Sequence, residues 1–169
     1  MARISYVEAE EATEKTRDIL QKNNHGNIFR MLGHSESHLY NYCRLGNAIR
    51  FKGELDPGLR EIAITRTGIL CNSEYEVIAH KRLCAAAGVS AEKIDALEQG
   101  AEADVFSDIE KDVLRFTDDV VTNDRAGDET FDAMVKDLSP AALVELHLAI
   151  GFYIMTSKFL MTFDVDMQS

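Results

Sequence analysis

Only two prolines interrupt this chain of 169 residues, and both stand where a helix would begin. Asp56-Pro57 and Ser139-Pro140 each set a capping side chain before a proline at the first helical position. The missing N–H has no helical partner to lose there, and the fixed φ already suits a helix. With ten glycines as the only other strong breakers, the chain reads as all-α.

The remaining punctuation divides it into consecutive helices. The first is expected over about Val7–Lys22, ending in the turn Asn23-Asn24-His25-Gly26. An apolar turn, Ile28–Leu32, closes at Gly33. A helix over about Glu36–Phe51 follows, with Leu39, Tyr42, Cys43, Gly46 and Ile49 at helical spacing. The helix opened by Pro57 runs to about Cys71. The next covers Ser73–Ala87 and is closed by Gly88. Ser90 caps a short helix ending near Gly100. Ser107 and Glu110 form a capping box for about Asp108–Asn123. Asp128 is expected to cap a helix through Asp137, and Pro140 opens the long last one. Glu61–Thr65 alternates like a strand, but the Asp-Pro start favours helix. The expectation is a bundle of seven or eight helices and one domain, residues 1–169.

Length and composition bound the function. A chain of this size buries a real core, and 46% hydrophobic with 28% charged residues is ordinary for a globular protein. Twenty-nine acids against eighteen bases give a net charge of −11, which opposes nucleic-acid binding. Met1–Glu8 lacks the apolar stretch of a signal peptide. The most apolar segment, Ala141–Phe163, carries Glu145, His147 and Lys158, so it reads as a core helix and no membrane span is expected. Cys43, Cys71 and Cys84 are odd in number and form no CxxC, which fits reduced thiols and a cytoplasmic setting.

Glu76 and His80 lie four apart on one predicted helix and share a face. A carboxylate beside an imidazole favours the imidazolium and orients the ring, a pair suited to moving a proton at neutral pH. Pairs at this spacing also occur as plain structural contacts. Glu61, on the preceding helix, reaches the same place if the two helices form a hairpin. Cys84 follows His80 by four residues and reads as a core cysteine. His25 sits in a turn, and His34 and His38 read as surface residues. Glu145 and His147 are two apart and point to different faces. No HExxH, GxSxG or glycine-rich phosphate loop is present, and no metal or organic cofactor is expected.

Several segments in order resemble the carboxymuconolactone decarboxylase family, within the alkyl hydroperoxidase D-like superfamily. They are Ile28–Ser35, Leu59–Ile64, Ser73–Glu76 with His80, Ala86–Ser90, Leu143–Leu146 and Gly151–Tyr153. The resemblance implies the family's helical bundle. The hydroperoxidase branch carries a CxxC with a histidine four residues after the second cysteine. Those positions here are Ser73 and Glu76, so chemistry of that type has no resolving thiol. The decarboxylase-like branch keeps the histidine and places Glu at the second cysteine. Glu61 matches its acid on the preceding helix.

The implied activity is a cofactor-independent lyase acting on a small carboxylated or carbonyl compound, such as a lactone from aromatic catabolism. His80, held by Glu76, would protonate the carbon that loses carbon dioxide, and Glu61 would tune or relay that proton. An acidic chain needs a local cation to hold an anionic substrate. Arg66, Arg30 and Lys158 are the candidates, Lys158 standing where the family often carries arginine. Relatives assemble as trimers or hexamers, so a homo-oligomer is expected. The alternatives are a thiol-dependent antioxidant protein using Cys71 or Cys84, and a non-catalytic ligand-binding relative.

Overall fold

The structure, a computed structural model, describes residues 1–167. Among them it holds nine α-helices, one 3-10 turn and no strand, an all-α fold as expected. Two compact units emerge: Met1–Phe51 with the segment from Phe159, and Lys52–Lys158.

The first unit contains α1 (Glu14–Lys22), α2 (Asn27–Leu32) and α3 (Glu36–Phe51). The apolar segment after Gly26 is thus a helix in its own right. Helix α1 begins seven residues later than the sequence implied, at Glu14 and not Val7. Thr13 caps it, accepting from Thr16 N at 3.2 Å. The carbonyls upstream are taken by Arg17, whose guanidinium donates to Ala9 O at 2.9 Å and Ala12 O at 3.0 Å. Arg30 is engaged with Glu8, with Asn27 Oδ1 at 3.0 Å and with Val7 O at 3.4 Å, so it holds the N-terminal segment in place.

The second unit contains α4 (Pro57–Leu70), α5 (Glu74–Ala86), α6 (Ala91–Ala96), the 3-10 turn Gly100–Glu102, α7 (Asp108–Thr122), α8 (Asp128–Asp137) and the body of α9 (Pro140–Thr162). Helix α4 is buried along Glu61–Gly68 and packs on α5 and α7. A helix enclosed on all sides forms the centre of a core. Ile62 of α4 belongs to one core with Leu97, Val113, Leu114, Leu146 and Ile150. The expected cap at Asp128 is corrected: Asp128 is the first residue of α8 and Gly127 its N-cap. The capping carboxylate comes from Asp119 on α7, which accepts from Gly127 N at 2.9 Å and Thr130 Oγ1 at 2.6 Å. By length and composition α9 would suffice to cross a membrane, but half of its apolar window is buried, as in a core helix.

Candidate functional site

The site grows out of the α4–α5 hairpin. Helix α4 ends in a Schellman turn. Asn72 takes φ 57°, its N–H donates to Ile69 O at 2.9 Å, and Ser73 N–H donates to Gly68 O at 2.9 Å. The chain reverses within three residues, and α5 runs back along α4. Gly68 permits the close approach, because a Cβ there would lie 3.2 Å from Glu76 Cβ and 3.3 Å from Val77 N. Glu61, Thr65 and Gly68 then form one face of α4, opposed to Glu76, His80 and Cys84 on α5. Thr65 Oγ1 lies 3.3 Å from Cys84 Sγ.

Glu61, Glu76 and His80 are brought together and buried, at 2%, 4% and 5% exposure. His80 Nδ1 is 2.7 Å from Glu61 Oε2, and Nε2 is 3.3 Å from Glu76 Oε2. Glu61 Oε1 accepts from Arg60 Nε and Nη2, both at 3.2 Å. The Tyr153 ring on α9 meets His80 edge to face, with centroids 4.6 Å apart and planes at 79°. Two carboxylates therefore face two cationic groups inside the fold.

Titration follows from this arrangement. Burial alone would lower the His80 pKa, but the hydrogen bonds to Glu61 and Glu76 and their charges outweigh it and raise it above 6.5. Burial would raise Glu61, but the His80 hydrogen bond, the His80 charge and Arg60 outweigh it and hold the carboxyl below 4.5. Both shifts favour the charged pair, an imidazolium held between carboxylates.

Neither Arg66 nor Lys158 is ion-paired or hydrogen-bonded to Glu61, Glu76 or His80. Arg66 donates from Nε and Nη2 to Asp118 at 2.7 and 2.9 Å, and from Nη1 to Leu97 O and Glu98 O, both at 2.9 Å. Four of its five N–H groups are bound within the fold. Gly100, at φ 67°, leaves room for the guanidinium, since a Cβ there would sit 2.9 Å from Nη2. Arg66 thus braces α4 to the segment before the 3-10 turn and to α7. Lys158 is exposed, and its charge bears on Cys71. Arg60 and Tyr153 are the two members that sequence reading passed over. Tyr153 had a signal, lying inside the family-like segment Gly151–Tyr153. Arg60 had none, because adjacent helical residues do not normally face each other.

The thiols are poor nucleophiles. Burial pushes Cys43 to about 11. Burial, opposed by the Thr65 hydrogen bond and aided by the Glu61 charge, pushes Cys84 to about 11. Burial also raises Cys71, against the pull of Lys158 and Ser157. Among the described residues no group of three or more His, Cys, Asp or Glu is arranged to hold a metal ion.

Comparison with known proteins places this geometry. Residues 38–119 match the model of the carboxymuconolactone decarboxylase family, a span that includes Arg60, Glu61, Glu76 and His80. An uncharacterised peroxidase-related protein from Ralstonia eutropha JMP134, with an alkylhydroperoxidase AhpD core, superposes with a TM-score of 0.86 at 18% identity, covering 99% of this chain and 93% of its own. A protein of unknown function from Agrobacterium tumefaciens, described by its likeness to the antioxidant defence protein AhpD, gives 0.73 at 20% identity, covering 80% and 94%. A cysteine-to-alanine variant of the debrominase Bmp8, in complex with 2,3,4-tribromopyrrole, gives 0.82 at 15% identity, covering 100% and 95%. At these identities the likeness is one of fold. No curated protein sequence matches the chain.

Proposed function

We propose, from the match of residues 38–119 to the carboxymuconolactone decarboxylase family, that the chain is a cofactor-independent lyase moving a proton at carbon through Glu61, His80 and Glu76. The observation that carries the reading is the imidazole clamped at both nitrogens by buried carboxylates, 2.7 and 3.3 Å away.

The two acids differ in kind. Glu61 is the anchor, with the shorter bond to His80 and its second oxygen on Arg60. Glu76 is the looser partner. While Nδ1–H remains on Glu61, a neutral His80 would turn its Nε2 lone pair toward the Glu76 carboxylate, which is repulsive. The mobile proton therefore lies either on Nε2 or on Glu76. This exchanges the roles implied by sequence spacing: Glu61 holds the ring, and Glu76 passes the proton outward.

In the proposed reaction the C–C bond to a substrate carboxylate breaks and carbon dioxide leaves. The electron pair stays on the carbon, delocalised into an adjacent carbonyl, and no cofactor is needed to accept it. The proton shared by His80 and Glu76 then adds to that carbon, and water restores it to the cluster. Such general-acid assistance is worth roughly a hundredfold or more. The same proton movement serves isomerisation or dehydration beside a carbonyl. The substrate class is a small carboxylated lactone or another acid with a carbonyl beside the carbon that loses carbon dioxide.

The test is carbon dioxide release from a panel of such acids by wild type, His80→Ala and Glu76→Gln. Turnover is expected in wild type alone, while the Glu76→Gln variant keeps its helical circular dichroism. Full turnover in both variants would overturn the assignment. The peroxidase-related Ralstonia eutropha protein and the Agrobacterium tumefaciens antioxidant-defence relative raise thiol-dependent peroxide reduction as a second reading. The elevated Cys71 and Cys84 pKa values weigh against it, and loss of peroxide consumption in a Cys71→Ser/Cys84→Ser double variant would revive it.

A further inference from the structure

A cavity made without any member of the His80 cluster opens among α7, α8 and α9. Its volume is about 610 Å³, within the range of small-molecule sites. Phe116, Phe131, Val135 and Leu148 give it an apolar lining, and Arg125 and His147 are its polar members. His147 packs edge-on against Phe116 with centroids 6.4 Å apart. Phe131, Val135, Val144 and Leu148 keep between 46% and 58% of their surface in solvent, an apolar exposure that marks a binding surface.

Arg125 gives this cavity its chemistry. It is the one lining residue with a fixed charge, and among the described residues it makes no ion pair or hydrogen bond. The contrast with Arg30, Arg60 and Arg66 is direct, since each of those is engaged by a carboxylate. An unpaired guanidinium beside an apolar hollow fits a ligand with an oily body and one anionic head, which the planar fork can bind through two N–H groups. One cation on a chain of net charge −11 disfavours a multiply charged head. We propose that this cavity binds a monocarboxylate with an extended apolar body, of the fatty-acid type.

The experiment is isothermal titration of the full chain with submicellar dodecanoate, with dodecan-1-ol as the uncharged control. Saturable binding with one site per chain is expected. Arg125→Gln should weaken dodecanoate roughly tenfold or more, the worth of one charge-assisted hydrogen bond, and leave dodecan-1-ol unchanged. Leu148→Glu, at an exposed position, should abolish dodecanoate binding while the far-ultraviolet spectrum is kept. His80→Ala should bind as wild type does, which separates this site from the proposed catalytic one. Absent binding, or equal binding by wild type and Arg125→Gln, overturns the proposal. So does loss of binding in His80→Ala. A chain that sediments as an oligomer, becomes monomeric with Leu148→Glu and takes up no dodecanoate in either form also overturns it, and assigns the face to a second copy.

Discussion

Glu61→Gln isolates the charge of the acid that anchors His80 and keeps its shape. Wild type sets two carboxylates against His80 and Arg60, with contacts of 2.7 Å to the imidazole and 3.2 Å to the guanidinium. The amide still accepts the Nδ1–H, but one negative charge is gone from a buried cluster. Breaking a buried pair from one side costs about 3–5 kcal/mol. The lower end applies, because His80 can lose its proton in response. At about 2–4 °C per kcal/mol for a chain of this size, the melting temperature should fall by roughly 6–12 °C.

The pH dependence carries more information than the drop itself. The His80 pKa is raised above 6.5 in the fold, so its contribution is complete below 6.5 and is lost as pH rises through the folded value. The Glu61 pKa is lowered below 4.5, so its contribution is complete above 4.5 and is lost as pH falls through the folded value. The cluster therefore stabilises most between 4.5 and 6.5. In Glu61→Gln the alkaline flank should move to lower pH, since His80 has lost its nearer carboxylate. Urea unfolding of both proteins from about pH 4 to about pH 9 measures this. Stability curves of the same shape, merely offset, would show that Glu61 and His80 are not coupled and refute the reasoning.

Other perturbations have equally definite outcomes. Gly100→Ala places a Cβ 2.9 Å from Arg66 Nη2 at a φ of 67°; the backbone strain alone costs roughly 1–2 kcal/mol, so thermal unfolding should occur well below wild type. Arg66→Lys loses the paired contact to Asp118 and should lower the unfolding midpoint while leaving KM for any substrate unchanged; a raised KM with intact stability would return Arg66 to the site. A thiol with a pKa of about 11 is about one part in ten thousand thiolate at pH 7, so Cys84 should resist iodoacetamide in the folded chain and react once urea unfolds it, as peptide mass analysis would show.

Much of the fold was legible because capping is local. Asp56, Ser90 and the Ser107–Glu110 box announced α4, α6 and α7 from a few letters each. Starts fixed from a distance were not legible. Arg17 occupies the carbonyls that would have extended α1 backward, and Asp119 replaces the expected cap of α8. Helix ends were legible as well: Gly88, the turn Asn23–Gly26 and the stop near Cys71 each terminate a helix, although Asn24 and Asn72 take φ 51° and 57° without being glycine.

The candidate site divides along the same line, for a physical reason. Spacing of four residues places Glu76 and His80 on one helical face, but it fixes only where the side chains start. The strength of each contact depends on what the neighbouring helix brings. Here the hairpin sets Glu61 at 2.7 Å and leaves Glu76 at 3.3 Å, reversing the order that spacing implied. Arginines show the converse. Arg66 and Arg125 are the same letter in helical or near-helical context, yet one meets Asp118, 52 residues onward, and the other meets no acid among the described residues. An arginine's function is thus set by whether the fold supplies its carboxylate, and the unpaired one at an apolar cavity is the one left to recruit it from a ligand.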